Sequence, residues 1–223
     1  MKEEDAVREA VLRAGKLVSE AFAGSERKDV ELKGANDYVT GVDRQSEKLI
    51  KVTLQRHFPD IPFLAEESGG SPDAEEFWVI DPLDGTANFI HGYQQIGISV
   101  ALVREGRTVL GSVFDPLRDE LFEARYGSGA YCNNRKLRIS DATSLENSLI
   151  GTGFPFRAHQ HLECYLSVFR DIFKVCGGMR RAGAAVLDLC HTAAGRLDGF
   201  WELFLKPWDM AAGALIVEEA GGR

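Results

Sequence analysis

Apolar residues change their spacing along the chain. Val7, Ala10, Val11, Ala14, Leu17, Val18 and Phe22 recur at helical steps, which predicts an amphipathic helix of about five turns. The next stretch, SERKDVELKGANDYVTGVD, is polar and broken by glycine, the pattern of a loop or an irregular strand. A second helix is expected from 42 to 57, with Leu49, Ile50, Leu54 and Phe58 on one face. Thr40 is its expected N-cap and Pro59 its stop. From 63 to 131 the runs FLAEE, FWVID, GISVALV, RTVLGSVFDP, ELFEARY and GAYCN favour strands, with REGR at 104–107 as a hairpin turn. After Ser140 the texture alternates. SLIGTGF and LDGFWEL read as strands, whereas HLECYLSVFRDIFKVC, AAVLDLCHTAAG and PWDMAAGALIVEEAGG read as helices. This predicts an α+β protein with an N-terminal half, 1–140, and a C-terminal half, 141–223, packed as layers of one unit.

Composition narrows the function. The chain has 223 residues and a formal net charge of −8, so it is a poor non-specific partner for nucleic acid or an anionic membrane. A phosphate substrate would need a local positive source such as metal ions. Cys132, Cys164, Cys176 and Cys190 form no C-x-x-C pair and sit in or beside apolar segments, so buried free thiols in a reducing cytosol are expected. MKEEDAVREA has no apolar core of a signal peptide, and no run reaches transmembrane length; the expected location is cytoplasmic.

The chemistry concentrates in three stretches. FWVIDPLDGTANFIHG carries Asp81 and Asp84 beyond an apolar run. Pro82 lacks an N–H, so the strand is expected to stop beside Asp81. A short helix is expected to open at Gly85 and Thr86, with N–H groups free for a phosphate. FLAEES carries Glu66 and Glu67, whose side chains should point to opposite faces and do different jobs. In KPWDMAAGALIVEEAGG, Pro207 starts a helix with Asp209 in its first turn. Taken singly, each carboxylate has an ordinary explanation: Asp84 as a cap, the Glu pair as solvated surface, Asp209 as a dipole partner. Together they form a hard oxygen set without a His or Cys cluster, suited to Mg²⁺ or Mn²⁺ and not to zinc.

AEES, WVIDPLDGTANFIHG and KPWDMAAGALIVEEAGG resemble, in order and spacing, the three signature blocks of the inositol monophosphatase family, in particular its bacterial SuhB-type branch. The resemblance covers essentially the whole chain. It implies an αβαβα sandwich of the sugar-phosphatase type, and Mg²⁺-dependent, lithium-sensitive hydrolysis of inositol 1-phosphate or a related polyol phosphate. It also implies two or three Mg²⁺ per site and a homodimer, with transcription-factor or nucleic-acid contact as a secondary role. Carried over by residue, it assigns metal binding to Glu66, Asp81, the Leu83 carbonyl, Asp84 and Asp209. It gives Thr86, partnered by Asp43, the orientation of the attacking water, with Glu66 assisting. Gly85 and Thr86 would cradle phosphate, and Glu202, Ala184 and Asp209 would meet the substrate. Arg181, Lys33 and Glu67 are further candidates near the site.

Two departures stand out. The family continues beyond the EEAGG helix, and a chain ending at Arg223 is expected to leave part of a sheet edge uncovered. Phe204 occupies a position where the family frequently has Gly. Among rivals, a haloacid-dehalogenase-type phosphatase needs D-x-D-G-T, and position 82 is Pro, so aspartyl-phosphate chemistry is excluded. A binding or regulatory protein on the same fold is the non-enzyme alternative. Fructose 1,6-bisphosphate, histidinol phosphate, nucleotide 3′-phosphates and NADP are the alternative substrates.

Overall fold

The computed structural model describes residues 1–24, 30–34, 37–70, 74–156 and 158–223, and for 30–39 the backbone alone. The first predicted helix is α1 (Glu3–Ala23). The polar stretch after it contains a hairpin of β1 (Val30–Gly34) and β2 (Asp37–Thr40). Helix α2 (Gly41–Gln55) begins as expected at Thr40, whose hydroxyl accepts from Val42 N–H at 3.1 Å.

Among the described residues, a seven-stranded sheet runs β3 (Phe63–Ala65), β4 (Glu76–Asp84), β5 (Gly97–Arg104), β6 (Arg107–Asp115), β7 (Glu120–Arg125), β8 (Ala130–Cys132) and β9 (Arg135–Lys136). It is antiparallel except for the β3–β4 pair. The expected β5–β6 turn has Glu105 and Gly106 at φ 51° and 74°, both left-handed, as a tight hairpin requires. Side chains alternate between two cores. Trp78, Ile80, Ile98, Val100 and Leu102 face α1 and α2, while Val79, Ala101 and Val103 face the opposite core. That second core holds α5 (Ala185–Ala193) and α6 (Pro207–Glu219). Burial on both faces explains why GISVALV reads as a continuous apolar run.

Beyond α5 and α6 lies a small parallel sheet of β10 (Leu149–Thr152), β11 (Gly178–Arg180) and β12 (Gly199–Trp201), in the order β11-β10-β12. Helix α4 (Leu162–Phe173) closes the stack. Its buried Tyr165 stacks on Trp201 at 4.7 Å, with its hydroxyl 3.0 Å from that of Thr152. The layers are thus α1/α2, large sheet, α5/α6, small sheet, α4: the expected αβαβα sandwich.

Three expectations need correction. Strand β4 does not stop beside Asp81. Its pairing with β5 shifts between Asp81 and Asp84 and resumes at Asp84–Gly97, so Pro82 sits in a bulge, where its missing N–H breaks no ladder bond. SLIGTGF is a strand only to Thr152. All four cysteines are free, but only Cys132 and Cys190 are buried; Cys164 lies on the open side of α4 and Cys176 is half-buried. Among the described residues, no helix is long and apolar enough to cross a membrane.

Candidate active site

The β4 bulge builds the centre of the site. Asp81 is buried at the end of the regular part of β4, and its carboxylate accepts from Leu83 N–H at 3.1 Å. Ser46 on α2 donates to Pro82 O at 2.7 Å, holding the bulge against the helix. Gly85 follows at φ 87°, and a Cβ there would lie 2.8 Å from Gln95 O. Only glycine fits that turn. The short helix α3 (Thr86–His91) then begins as expected. Asn88 on α3 donates to Gln95 O at 2.7 Å and Ala182 O at 3.0 Å, fixing the loop that leads into α5. The first turn of α5 reaches back, with Val186 N–H donating to Asp84 at 2.8 Å.

Thr86 and Asp43 meet as expected. The Thr86 hydroxyl lies 2.9 Å from the Asp43 carboxylate and 3.1 Å from Leu83 O. Asp43 is fully buried in the first turn of α2 and also accepts from the N–H and hydroxyl of Thr40 at 2.8 and 2.5 Å. Burial raises its pKa, and these hydrogen bonds oppose the rise.

Glu66, Asp81, Leu83, Asp84, Gly85, Thr86, Glu202 and Asp209 line one cavity of about 310 Å³, with Arg181, Phe154, Phe156 and Phe204 on its wall. Residues from β4, α6 and the ends of β3 and β12 therefore converge. Asp81 is held well above the usual carboxylate range, first by burial and then by the charges of Glu66, Asp84 and Asp209. Asp84 is raised by burial and by Asp209, against the Val186 N–H. Glu202 is pushed up to about 7 by burial, with Arg181 opposing. Its carboxyl lies so close over Gly153 that a Cβ there would come within 1.9 Å of Glu202 Cδ. Among the described residues, no three acidic, His or Cys side chains already close into a metal cage. The donor set nevertheless fits a hard divalent cation. The strongest charged influences on buried Asp81 are all other carboxylates, an arrangement that a cation would relieve.

Other candidates fall elsewhere. Glu67 is not on the cavity wall, and its backbone N–H donates to Glu47 at 2.8 Å. Ala184 is buried behind Gly85, and its neighbours Gly183 and Ala185 line the cavity instead. The Lys33 side chain lies outside the described residues. Ser46, Asn88 and Val186 N–H could not be foreseen from local pattern, because each acts on a partner remote in the chain. Phe154 and Phe156 flank Pro155, a break that signals departure from the strand.

The model of the inositol monophosphatase family matches residues 2–223. The chain belongs to the inositol monophosphatase family. Nus factor SuhB of Pseudomonas aeruginosa is 49% identical over 222 residues, 96% of this chain and 81% of that protein. The crystal structure of extragenic suppressor protein suhB from Bartonella henselae superposes with TM-score 0.92 at 41% identity, covering 97% of this chain and 84% of that one. Inositol monophosphatase from Anabaena sp. PCC 7120 gives TM-score 0.88 at 38% identity, covering 99% and 82%. The chain thus has the fold of a phosphatase family, and its relatives also carry a transcription-associated name.

Proposed function

We propose that this chain is a Mg²⁺-dependent phosphatase that hydrolyses inositol 1-phosphate or a related polyol phosphate monoester by direct attack of water. The observation that carries the reading is the convergence of Glu66, Asp81, Asp84 and Asp209 on the cavity that Thr86 also lines. These carboxylates, with Leu83 O, would hold Mg²⁺, or Mn²⁺ in its place, at two or three positions. A bound divalent ion supplies charge neutralisation for the phosphate and lowers the pKa of water.

The chain's own groups do the rest. The Thr86 hydroxyl has one proton and two acceptors, Asp43 and Leu83 O, so its lone pairs remain to accept from the attacking water. Asp43, anchored by Thr40, fixes that orientation. Glu66 assists removal of the water's proton. Gly85 and Thr86 meet the phosphate at the bulge. Glu202, beside Arg181, meets a substrate hydroxyl, which favours a polyol over an apolar alcohol.

Phosphate release from myo-inositol 1-phosphate should rise with Mg²⁺ and fall about a thousandfold in Asp84→Asn. No release from this substrate, fructose 1,6-bisphosphate, histidinol phosphate, a nucleotide 3′-phosphate or NADP at high Mg²⁺ would overturn the reading. Lithium inhibition is a further expectation. The relatives' name, Nus factor SuhB, supports a second reading, contact with the transcription machinery on the same fold. Exposed Leu162, Leu166, Val168 and Phe173 on α4 support a homodimer. Light scattering that finds only monomer at micromolar concentration would remove it. Free thiols support a cytoplasmic, reducing setting.

A further inference from the structure

Helix α2 turns three polar side chains toward the site. Asp43 holds Thr86, Ser46 holds Pro82 O, and Glu47 reaches the turn that carries Glu66. Ser46 and Glu47 follow Asp43 by three and four residues, which puts all three on one face of the helix. Glu47 is only 4% exposed, and a carboxylate placed so deeply needs partners. It accepts from Glu67 N–H at 2.8 Å and from Lys51 Nζ at 3.0 Å. Lys51 also donates to Ser68 Oγ and sits 5.5 Å over the Phe63 ring. An exposed Glu–Lys pair one helical turn apart is ordinary surface chemistry. This pair is buried at its Glu end and ties α2 to a turn remote in the chain.

The turn depends on such ties. Two backbone bonds between Ala65 and Gly69, both 2.9 Å, close it, and Glu66 N–H donates to Ile80 O at 3.1 Å. Ser68, Gly69 and Gly70 are exposed, so side-chain packing does not hold the outer part of the turn in place. Glu66 is the residue that this turn sets on the cavity wall beside Asp81.

We propose that Glu47, locked by Lys51, is a positioning residue for Glu66: it clamps the 66–68 turn against α2 and so sets how tightly the cavity holds a divalent cation. This rests on the reading of the cavity as the metal site of a phosphatase.

The test is calorimetric titration of metal-free protein with Mn²⁺, without substrate, for wild type, Glu47→Ala, Glu47→Gln and Ile50→Val. Glu47→Ala should weaken Mn²⁺ binding about tenfold to a hundredfold, the range for a residue that orients a metal ligand. Glu47→Gln keeps an acceptor oxygen for Glu67 N–H and should recover most of that loss. Ile50→Val loosens the core side of the same helix without touching the turn, and should bind Mn²⁺ as wild type does. Phosphate release supplies a second readout. In Glu47→Ala the Mg²⁺ concentration for half-maximal rate should rise by the same factor, while kcat at saturating Mg²⁺ falls less. Wild-type affinity in Glu47→Ala, or equal weakening in Ile50→Val, would overturn the clamp and leave the phosphatase reading standing. Absence of Mn²⁺ binding by wild type would remove the metal reading and the clamp with it. If Glu47→Ala does not fold, Lys51→Met decides: weaker Mn²⁺ binding supports the clamp, and wild-type affinity removes it.

Discussion

In the proposed reaction Thr86 acts through one hydroxyl, whose two acceptors, Asp43 and Leu83 O, fix its orientation. Thr86→Ala should therefore lower kcat by about 10²–10⁴ while the fold persists, and Thr86→Ser should restore most of the loss. Steady-state kinetics on both variants, alongside their circular dichroism, check this. Equal rates in Thr86→Ala and wild type would remove Thr86 from the chemistry. Gly153 has a role of a different kind. A Cβ at that position collides with the Glu202 carboxyl, so Gly153→Ala should push Glu202 off the substrate and raise KM for a polyol phosphate more than it lowers kcat.

Helix α2 links stability to the site through its first turn. Thr40 caps the helix and holds Asp43, which in turn holds Thr86. Thr40→Ala should destabilise the protein by about 1–2 kcal/mol, read by chemical denaturation, and should lower kcat as Asp43 loses its anchor. A loss of stability with unchanged kcat would break that link. The cap was legible in the sequence because N-capping depends on neighbours a few residues apart. The β4 bulge was not. Pro82 signalled an interruption, yet whether a strand ends or bulges depends on β5, which offers Gly97 as a partner to Asp84. Strand β11 was missed for a related reason. Its three residues, Gly178–Arg180, carry no pattern of their own and exist as a strand because β10 pairs with them. Likewise the carboxylate set was visible as a list of residues, but of the aromatic wall only Phe204 was singled out, because Phe154 closes a segment read as a strand and Phe156 lies in the loop beyond it.

Across the whole molecule, burial of unlike groups sets opposing dependences on pH. Burial pushes Asp188 and Glu202 up to about 7 from ordinary values near 4, so the folded chain binds more protons than the unfolded one between those limits. Their contribution is fully present below the unfolded values and is lost as pH rises through 7. Burial pulls His191 down to about 4, and its contribution runs the other way, lost as pH falls from 6.5 towards 4. Between pH 6.5 and about 7.5 the carboxyl effect alone still operates, so metal-free protein should lose stability with rising pH there, and Asp188→Asn should flatten the slope in denaturant titrations. A slope equal to that of wild type would contradict it. Added Mg²⁺ should raise Tm in the same range, because it binds the folded carboxylates and not the unfolded chain. The central claim is that residues remote in the chain meet around divalent cations, and anomalous diffraction from crystals soaked in Mn²⁺ tests it most directly. The expected result is one or more peaks bounded by Glu66, Asp81, Asp84 and Asp209; a cavity without any peak, in crystals of active protein, would contradict it.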